Sequence, residues 1–226
     1  MKRILLLATL FAISAAGAQA QSLKKDPDSY HVIISLANGE KVDGYLKSGW
    51  HAENSLLKKE NYSFKVIKDL QDKEPVKYTA EEVLSVEYTD TTEANPDGIR
   101  WESRPLASPG IGDRYRTIPR LLCVDKEGEN ATIYWWKVWV WGGINNSQRR
   151  LATFYGIRFH NDPENIVYPY DLVTTMLMDK NHPGLKEFCK NWFKGPEGKV
   201  RKKESRDDET WILDMYDAYL ASTVKK

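Results

Sequence analysis

The side chains that could act as nucleophiles are few and poorly placed for hydrolysis. Nucleophilic hydrolysis requires an exposed Ser or Cys beside a His that accepts its proton, and the sequence contains no G-x-S-x-G elbow. Cys123 ends an apolar strand, and Cys189 lies on the apolar face of a predicted helix. A buried thiol is a poor nucleophile. We therefore predict structural roles for both cysteines and assign no catalytic residue.

The histidines do not have the spacing of a metal site. Structural and catalytic metal sites need three or four ligands close together, and no histidine is followed by another four residues later. One local cluster, His160 with Asp162 and Glu164, adjoins Pro163, and Asp is common in such turns because its side chain bonds the turn backbone. We favour the turn over a metal ion and predict no cofactor. The histidines are His31, His51, His160 and His182.

Paired carboxylates are the remaining route to catalysis. Glycoside hydrolysis uses two carboxyl groups that face each other across a pocket. With 32 acidic residues, some pair always has a suitable spacing. The sequence therefore leaves a hydrolase acting on polysaccharide or peptidoglycan open as an alternative function.

The most unusual segment is an aromatic strand over residues 134–141. Alternation on a strand gives Trp135, Trp139 and Trp141 one shared face, with Lys137 among them. This face could be a platform that stacks on sugars or on a partner protein, with Arg149 and Arg150 of the next strand as a polar rim. The alternative, which we favour, is that one face packs on the β module and the other on the C-terminal helices.

The N-terminus has the pattern of a cleavable export signal. Lys2 and Arg3 precede an apolar run over residues 4–13, and Ala18-Gln19-Ala20 supplies the small residues that signal peptidase recognises. A membrane anchor needs about 20 apolar residues, so we favour cleavage before Gln21 and no membrane insertion afterwards. Loss of residues 1–20 leaves a net charge of −1. A balance so near neutrality gives no electrostatic case for nucleic-acid binding.

Export bears on the two cysteines, because an oxidising compartment permits a disulfide. A bond between Cys123 and Cys189 would join the middle of the chain to its C-terminal part. The alternative is two separate buried thiols. The sequence leaves both open.

The first half of the mature chain predicts a small curled β module over residues 22–95. Five short apolar–polar segments alternate there, and Asn38-Gly39 is a strong hairpin signal. Gly44 interrupts the second strand and indicates a bend, while Thr79 and Glu82 can exchange hydrogen bonds around one turn. These features predict a barrel-like fold similar to SH3 or Sm barrels. The polar stretch over residues 90–98 and the prolines and glycines that follow predict an irregular linker, with a boundary near residue 95.

The second half predicts an antiparallel β segment over residues 96–170 and a helical tail over residues 171–226 that packs on it. Strands are predicted over residues 120–124, 132–141, 151–159 and 166–168. Helices are predicted over residues 172–178 and 183–193 and in a final segment after a capping box formed by Ser205 and Asp208. Between the last two helices, Gly195-Pro196 predicts a stop, and the basic run over residues 199–203 predicts a solvated loop. The fold class is α+β.

Two segments resemble a known kind of exported protein. The motifs are Gly39-Glu40-Lys41-Val42-Asp43-Gly44-Tyr45-Leu46 and Lys77-Tyr78-Thr79-Ala80-Glu81-Glu82-Val83. They resemble uncharacterised exported proteins of the Bacteroidota, which pair a curled β module with a later β segment and a C-terminal helical tail. The resemblance implies export and this architecture, and it implies no activity. We therefore expect a non-enzymatic binding or interaction protein of the cell envelope, in the periplasm or outside the cell, whose partner is an envelope protein or a glycan.

Overall fold

A computed structural model describes residues 29–47, 62–71, 74–89, 100–109, 115–142, 148–170, 182–206, 208 and 210–223. The predicted signal peptide, the predicted helix over residues 172–178 and the predicted boundary near residue 95 lie outside these ranges. Ten strands make up most of the described chain: β1 Ser29–Leu36, β2 Lys41–Lys47, β3 Ser63–Ile67, β4 Val76–Thr79, β5 Val83–Tyr88, β6 Arg100–Pro109, β7 Tyr115–Glu127, β8 Ala131–Gly142, β9 Gln148–Phe159 and β10 Val167–Pro169. Three helices follow: α1 Leu185–Trp192, α2 Gly195–Glu204 and α3 Trp211–Thr223.

The first five strands form a curled antiparallel sheet in the order β5-β1-β2-β3-β4. The Asn-Gly hairpin is confirmed, because Gly39 has φ 89° and the Leu36 N–H donates to Glu40 O at 2.8 Å. Gly44 lies where β3 crosses closely, and a Cβ there would come within 2.6 Å of Val66 Cγ1. The missing side chain of Gly44 therefore lets β3 pack closely against β2. Half of the predicted exchange around residues 79–82 is observed, since the Thr79 N–H donates to a Glu82 carboxylate oxygen at 2.8 Å. The Thr79 hydroxyl donates to the same oxygen, and the Glu82 N–H donates to the Thr79 carbonyl oxygen rather than to the Thr79 side chain.

Strand β6 corrects the prediction of an irregular linker. It pairs with β7 over nine residue pairs, from Trp101↔Cys123 to Pro109↔Tyr115, and it pairs with β5 through Val86↔Trp101. One continuous ten-stranded sheet therefore runs through both halves of the described chain. The prediction was wrong because proline, which has no N–H, usually interrupts a strand. Here Pro105 and Pro119 are paired in the ladder, so both strands lack an N–H at the same pair.

The last five strands close into a barrel. Neighbouring strands pair antiparallel from β6 to β10, and a parallel contact between Val167 and Leu106 closes the ring. The predicted barrel was placed in the N-terminal module, whereas this closure lies in the second half of the chain. Among the described residues, β4 and β5 share no ladder. Over the described residues the fold is thus mostly β, with a closed five-strand barrel and three helices, in agreement with the α+β class.

Helices α1 and α3 pack on the outer face of the barrel. The apolar faces predicted for them are confirmed, since both contribute to one buried cluster with Ile133, Ile157 and Phe159 of the barrel wall. Two local predictions are wrong. The basic run belongs to helix α2, whose first turn contains Pro196 and which is anchored by Arg201 over the ring of Trp192 at 4.0 Å. Ser205 ends that helix and donates its hydroxyl back to the Lys202 carbonyl oxygen at 3.1 Å, whereas Asp208 accepts from the Thr210 N–H at 2.8 Å.

Candidate binding site at the barrel mouth

A charged layer crosses the interior of the barrel around Glu102. This carboxylate is 9% exposed and accepts a 2.6 Å hydrogen bond from the Tyr134 hydroxyl. Arg104 donates to the same oxygen through two nitrogens, at 2.9 and 2.8 Å, and Arg100 approaches the other oxygen at 2.9 Å. Arg100 also pairs with Glu127 at the end of β7. The Glu102 carboxylate thus ties β6 to β8, and Arg100 extends the layer to β7 through Glu127.

A hydrogen-bonded chain extends the layer across β8 and β9. The Arg158 Nε donates to the Tyr134 hydroxyl at 3.2 Å, and its Nη2 donates to Thr132 Oγ1 at 3.2 Å. Thr132 Oγ1 lies 2.8 Å from His160 Nε2, and His160 Nδ1 lies 2.9 Å from the Glu129 carbonyl oxygen. Because a carbonyl only accepts, His160 donates from Nδ1. Every member of this chain therefore has a partner.

The environment of Glu102 keeps it ionised. Burial alone would raise its pKa, but the hydrogen bonds from Tyr134 and Arg104 and the charges of Arg104 and Arg100 outweigh burial, so the pKa lies below its ordinary value. Burial and the hydrogen bond to Glu102 raise the pKa of Tyr134. A general acid needs a raised carboxyl pKa near the working pH. Glu102 is thus a structural anion and a poor proton donor.

An apolar layer lies next to the charged layer, toward the other end of the barrel. Trp136 is buried and packs with Leu122, Tyr134 and Val167, and Leu106, Val124 and Val138 are partly buried against them. Gly156 makes room for this layer, because a Cβ there would lie 2.9 Å from Val167 Cγ1 and 3.0 Å from Trp136 Cζ3. Side chains fill the interior, as is usual for small barrels.

The apolar layer ends in an exposed rim. Phe154 stacks on Trp136 with ring centroids 6.2 Å apart and planes 19° from parallel, and it is 39% exposed. Ile118, paired with Leu106 on the neighbouring wall, is 37% exposed. We call these four residues, Leu106, Ile118, Trp136 and Phe154, the barrel mouth.

The mouth lies where two hairpins separate. The described β7–β8 ladder begins at Glu127↔Thr132 and ends at Cys123↔Trp135, whereas β8 and β9 stay paired to Gly142↔Gln148. Likewise β6 and β7 stay paired to Pro109↔Tyr115. The inner faces of both hairpins beyond the last β7–β8 pair are therefore the walls of the mouth.

The structure divides the predicted aromatic platform. The ring of Trp135 packs edge-to-face on the ring of Trp101, with centroids 5.2 Å apart, and the Lys137 ammonium lies 5.1 Å from the Trp135 centroid. Trp135 also packs against the N-terminal core. Trp135 is therefore part of an internal contact. The side chains of Trp139, Trp141, Arg149 and Arg150 lie outside the described part of the structure, but the backbone register is described. It pairs position 149 with 141 and position 150 with 140, so the two arginine positions belong to opposite faces of the hairpin.

The remaining predicted sites have structural partners. In the turn after β9, Asp162 is buried and bonds the Glu164 N–H at 2.9 Å and the Tyr168 hydroxyl at 2.9 Å. This is the backbone role expected of Asp in a turn. Cys123 and Cys189 form no disulfide in the described structure and lie in different hydrophobic clusters, which corresponds to the two-thiol alternative. Burial raises the pKa of the Cys189 thiol.

A second buried polar group lies under the helices. His182 is 4% exposed, and its ring centroid lies 4.4 Å from that of Phe159. Its Nδ1 is 3.4 Å from the Tyr216 oxygen, and its Nε2 has no hydrogen-bond partner among the residues that the structure describes. Burial lowers the pKa of His182, and the carboxylate of Asp162 opposes this only in part. Burial also raises the pKa of Tyr216 to about 12.

Sequence reasoning missed the charged layer and the rim. The signal for the charged layer was present, since Arg100, Glu102 and Arg104 alternate as they would along one face of a strand. The prolines and glycines around it mask this signal, because they predict a linker. Phe154 carries no such signal, because its exposure depends on where the β7–β8 ladder ends.

Comparison with protein-family models, curated proteins and solved structures finds no match to this chain. Among the residues that the structure describes, no helix combines the length and the apolar character needed to cross a bilayer.

Proposed function

We propose that this chain is an exported, non-enzymatic binding or interaction protein of the cell envelope, with the barrel mouth as its contact site. The observation that carries the proposal is the exposed aromatic rim at Phe154, stacked on the buried Trp136. Rigid aromatic side chains with one exposed face are characteristic anchors of binding sites. The partner is an envelope protein or a glycan.

The charged layer supports binding over hydrolysis. Its one deeply buried carboxylate, Glu102, is bonded by two arginines and a tyrosine. A lowered carboxyl pKa suits a permanent anion, whereas an acid catalyst needs the opposite shift. The layer therefore stiffens the wall that presents the mouth.

Export and the nature of the N-terminal module belong to the same proposal. The charged and apolar start, followed by Ala18-Gln19-Ala20, supports cleavage before Gln21. The strand order β5-β1-β2-β3-β4 and the close approach of β3 to Gly44 support an SH3-like or Sm-like module. N-terminal sequencing of the protein recovered from the envelope tests the cleavage site, since an intact Met1 would contradict it.

Thermal unfolding tests the binding role. We expect the midpoint, followed by Trp fluorescence, to rise with at least one member of a panel of soluble polysaccharides and peptidoglycan fragments, because a ligand of the folded state stabilises it. Crosslinking in the envelope tests whether the partner is a protein.

The matched variants are Phe154→Ala and Leu84→Ala, since Leu84 is 56% exposed on β5 of the N-terminal module. Binding that Phe154→Ala abolishes and Leu84→Ala preserves locates the contact at the mouth. Turnover of any panel member by the purified protein, lost in Glu102→Gln while the fold is retained, would overturn the non-enzymatic role.

A further inference from the structure

We infer that the barrel mouth binds an acidic polysaccharide, with arginine on uronate carboxylates and Phe154 under a sugar ring. The inference rests on the proposed binding function and names the ligand class of that same site.

The first observation is the charge of the two hairpins around the mouth. Their mouth halves are residues 104–109 and 115–123 on one hairpin and 136–142 and 148–154 on the other. These segments contain six basic residues and no acidic residue, although the whole chain has a net charge of only +1. The basic residues are Arg104, Arg116, Arg120, Lys137, Arg149 and Arg150. By strand alternation, positions 104, 116, 120 and 150 belong to the inner face of the hairpins, whereas positions 137 and 149 belong to the outer face with Trp135. Such a local concentration of one sign raises the local concentration of an anionic partner.

The second observation is where these charges lie. Strand alternation gives Arg116 the same face of β7 as Ile118, and Arg116 is exposed. Arg104 lies deeper on the same wall, 29% exposed and bonded to Glu102. The Arg120 guanidinium lies 5.5 Å from the ring of Tyr62 and so borders the N-terminal module. Arginine is the side chain best suited to carboxylates because its planar fork can donate two parallel hydrogen bonds.

The third observation is that side chains fill the barrel below the mouth, which limits the shape of the ligand. The interior below the mouth is filled by Trp136, Leu122, Tyr134 and Val167, so a long acyl chain has no channel to enter. A ligand must instead lie across the rim, where the flat ring of Phe154 is 39% exposed. Sugar rings offer flat apolar faces to aromatic side chains. A chain of uronate residues combines that face with regularly spaced carboxylates.

Calorimetric titration of the purified protein tests this inference with three probes. The probes are an oligogalacturonate, its methyl ester, which keeps the sugar chain and loses the charge, and poly-glutamate of similar charge. We expect the oligogalacturonate to bind, the ester to bind at least about tenfold more weakly, and added NaCl to weaken oligogalacturonate binding.

Two variants with matched controls locate the contact. We expect Arg116→Gln to weaken oligogalacturonate binding by about tenfold and Phe154→Ala by a similar factor. The controls are Lys202→Gln, an exposed basic position on α2, and Leu84→Ala. Neither control should change the affinity.

The outcomes separate this inference from the proposed function. Equal binding of the ester and the acid, both lost in Phe154→Ala, would overturn the acidic ligand and keep the mouth as a binding site. Tighter binding of poly-glutamate with the same dependence on Arg116 would replace the glycan by an acidic polypeptide. Absence of oligogalacturonate binding overturns the inference. The proposed function fails as well only if the wider panel and envelope crosslinking also show no contact that depends on Phe154.

Discussion

Replacing Glu102 by Gln should destabilise the protein by about 2–4 kcal/mol. The substitution keeps the shape of the side chain but places an amide N–H₂ among the guanidinium groups of Arg100 and Arg104. Breaking a buried ion pair by removing one partner costs about 3–5 kcal/mol. The arginine side chains are 36% and 29% exposed, so water recovers part of that cost. The midpoint of thermal unfolding should fall by about 5–15 °C.

Glu127→Gln is the matched control. Glu127 pairs with the same Arg100 but is 55% exposed, and exposed ion pairs contribute roughly 0–1 kcal/mol. The assay is equilibrium unfolding in urea, followed by Trp fluorescence, since guanidinium salts would screen the charges under test. The reasoning fails if Glu102→Gln costs no more than Glu127→Gln.

A double-mutant cycle isolates the pair within the layer. In an Arg104→Gln background, Glu102→Gln should cost less than it does alone, because Arg104 is no longer left without its anion. The pH dependence of stability is an independent test of the Glu102 network. The pKa of Glu102 is lowered in the folded protein. Its contribution to stability is therefore complete when the pH is above the ordinary carboxyl pKa near 4.5, and it is lost as the pH falls below that value. Additive costs in the cycle would contradict the network.

Three further predictions concern the core and the thiols. Gly156→Ala should cost about 1–3 kcal/mol in urea unfolding, because its Cβ would meet the Tyr168 carbonyl oxygen at 2.9 Å; a neutral effect would contradict this packing. The lowered pKa of His182 means that the unfolded chain binds a proton first, so stability should fall as the pH drops from about 6.5 toward 5, by at most about 1.4 kcal/mol per pH unit. His182→Gln should flatten that slope, and an unchanged slope would assign it to another group. Without reductant, a thiol reagent should titrate both Cys123 and Cys189 in denaturant and neither quickly in the native protein, whereas a disulfide would leave none to titrate.

Local patterns predicted most of the elements. The Asn38-Gly39 turn was predictable because glycine adopts positive φ without steric cost, and the observed φ of Gly39 is 89°. The alternation along β8 also held, with Tyr134 and Trp136 on the barrel interior and Trp135 on the opposite face. Such patterns depend only on neighbours along the chain. Local patterns did not predict strand β6, because whether Pro105 fits in a strand depends on the neighbouring strand, where Pro119 is its partner.

The sequence by itself determined which side chains share a face of each strand and where several turns fall. Only the tertiary structure decided what those faces meet. Glu102 became a buried anion because Tyr134 is brought to it from a strand 32 residues away. Phe154 became an exposed rim because the described β7–β8 ladder stops at Trp135 while β9 continues. Pairings between distant strands depend on loop closure and on the packing of the whole barrel. The local alternation of polar and apolar residues determines neither of these.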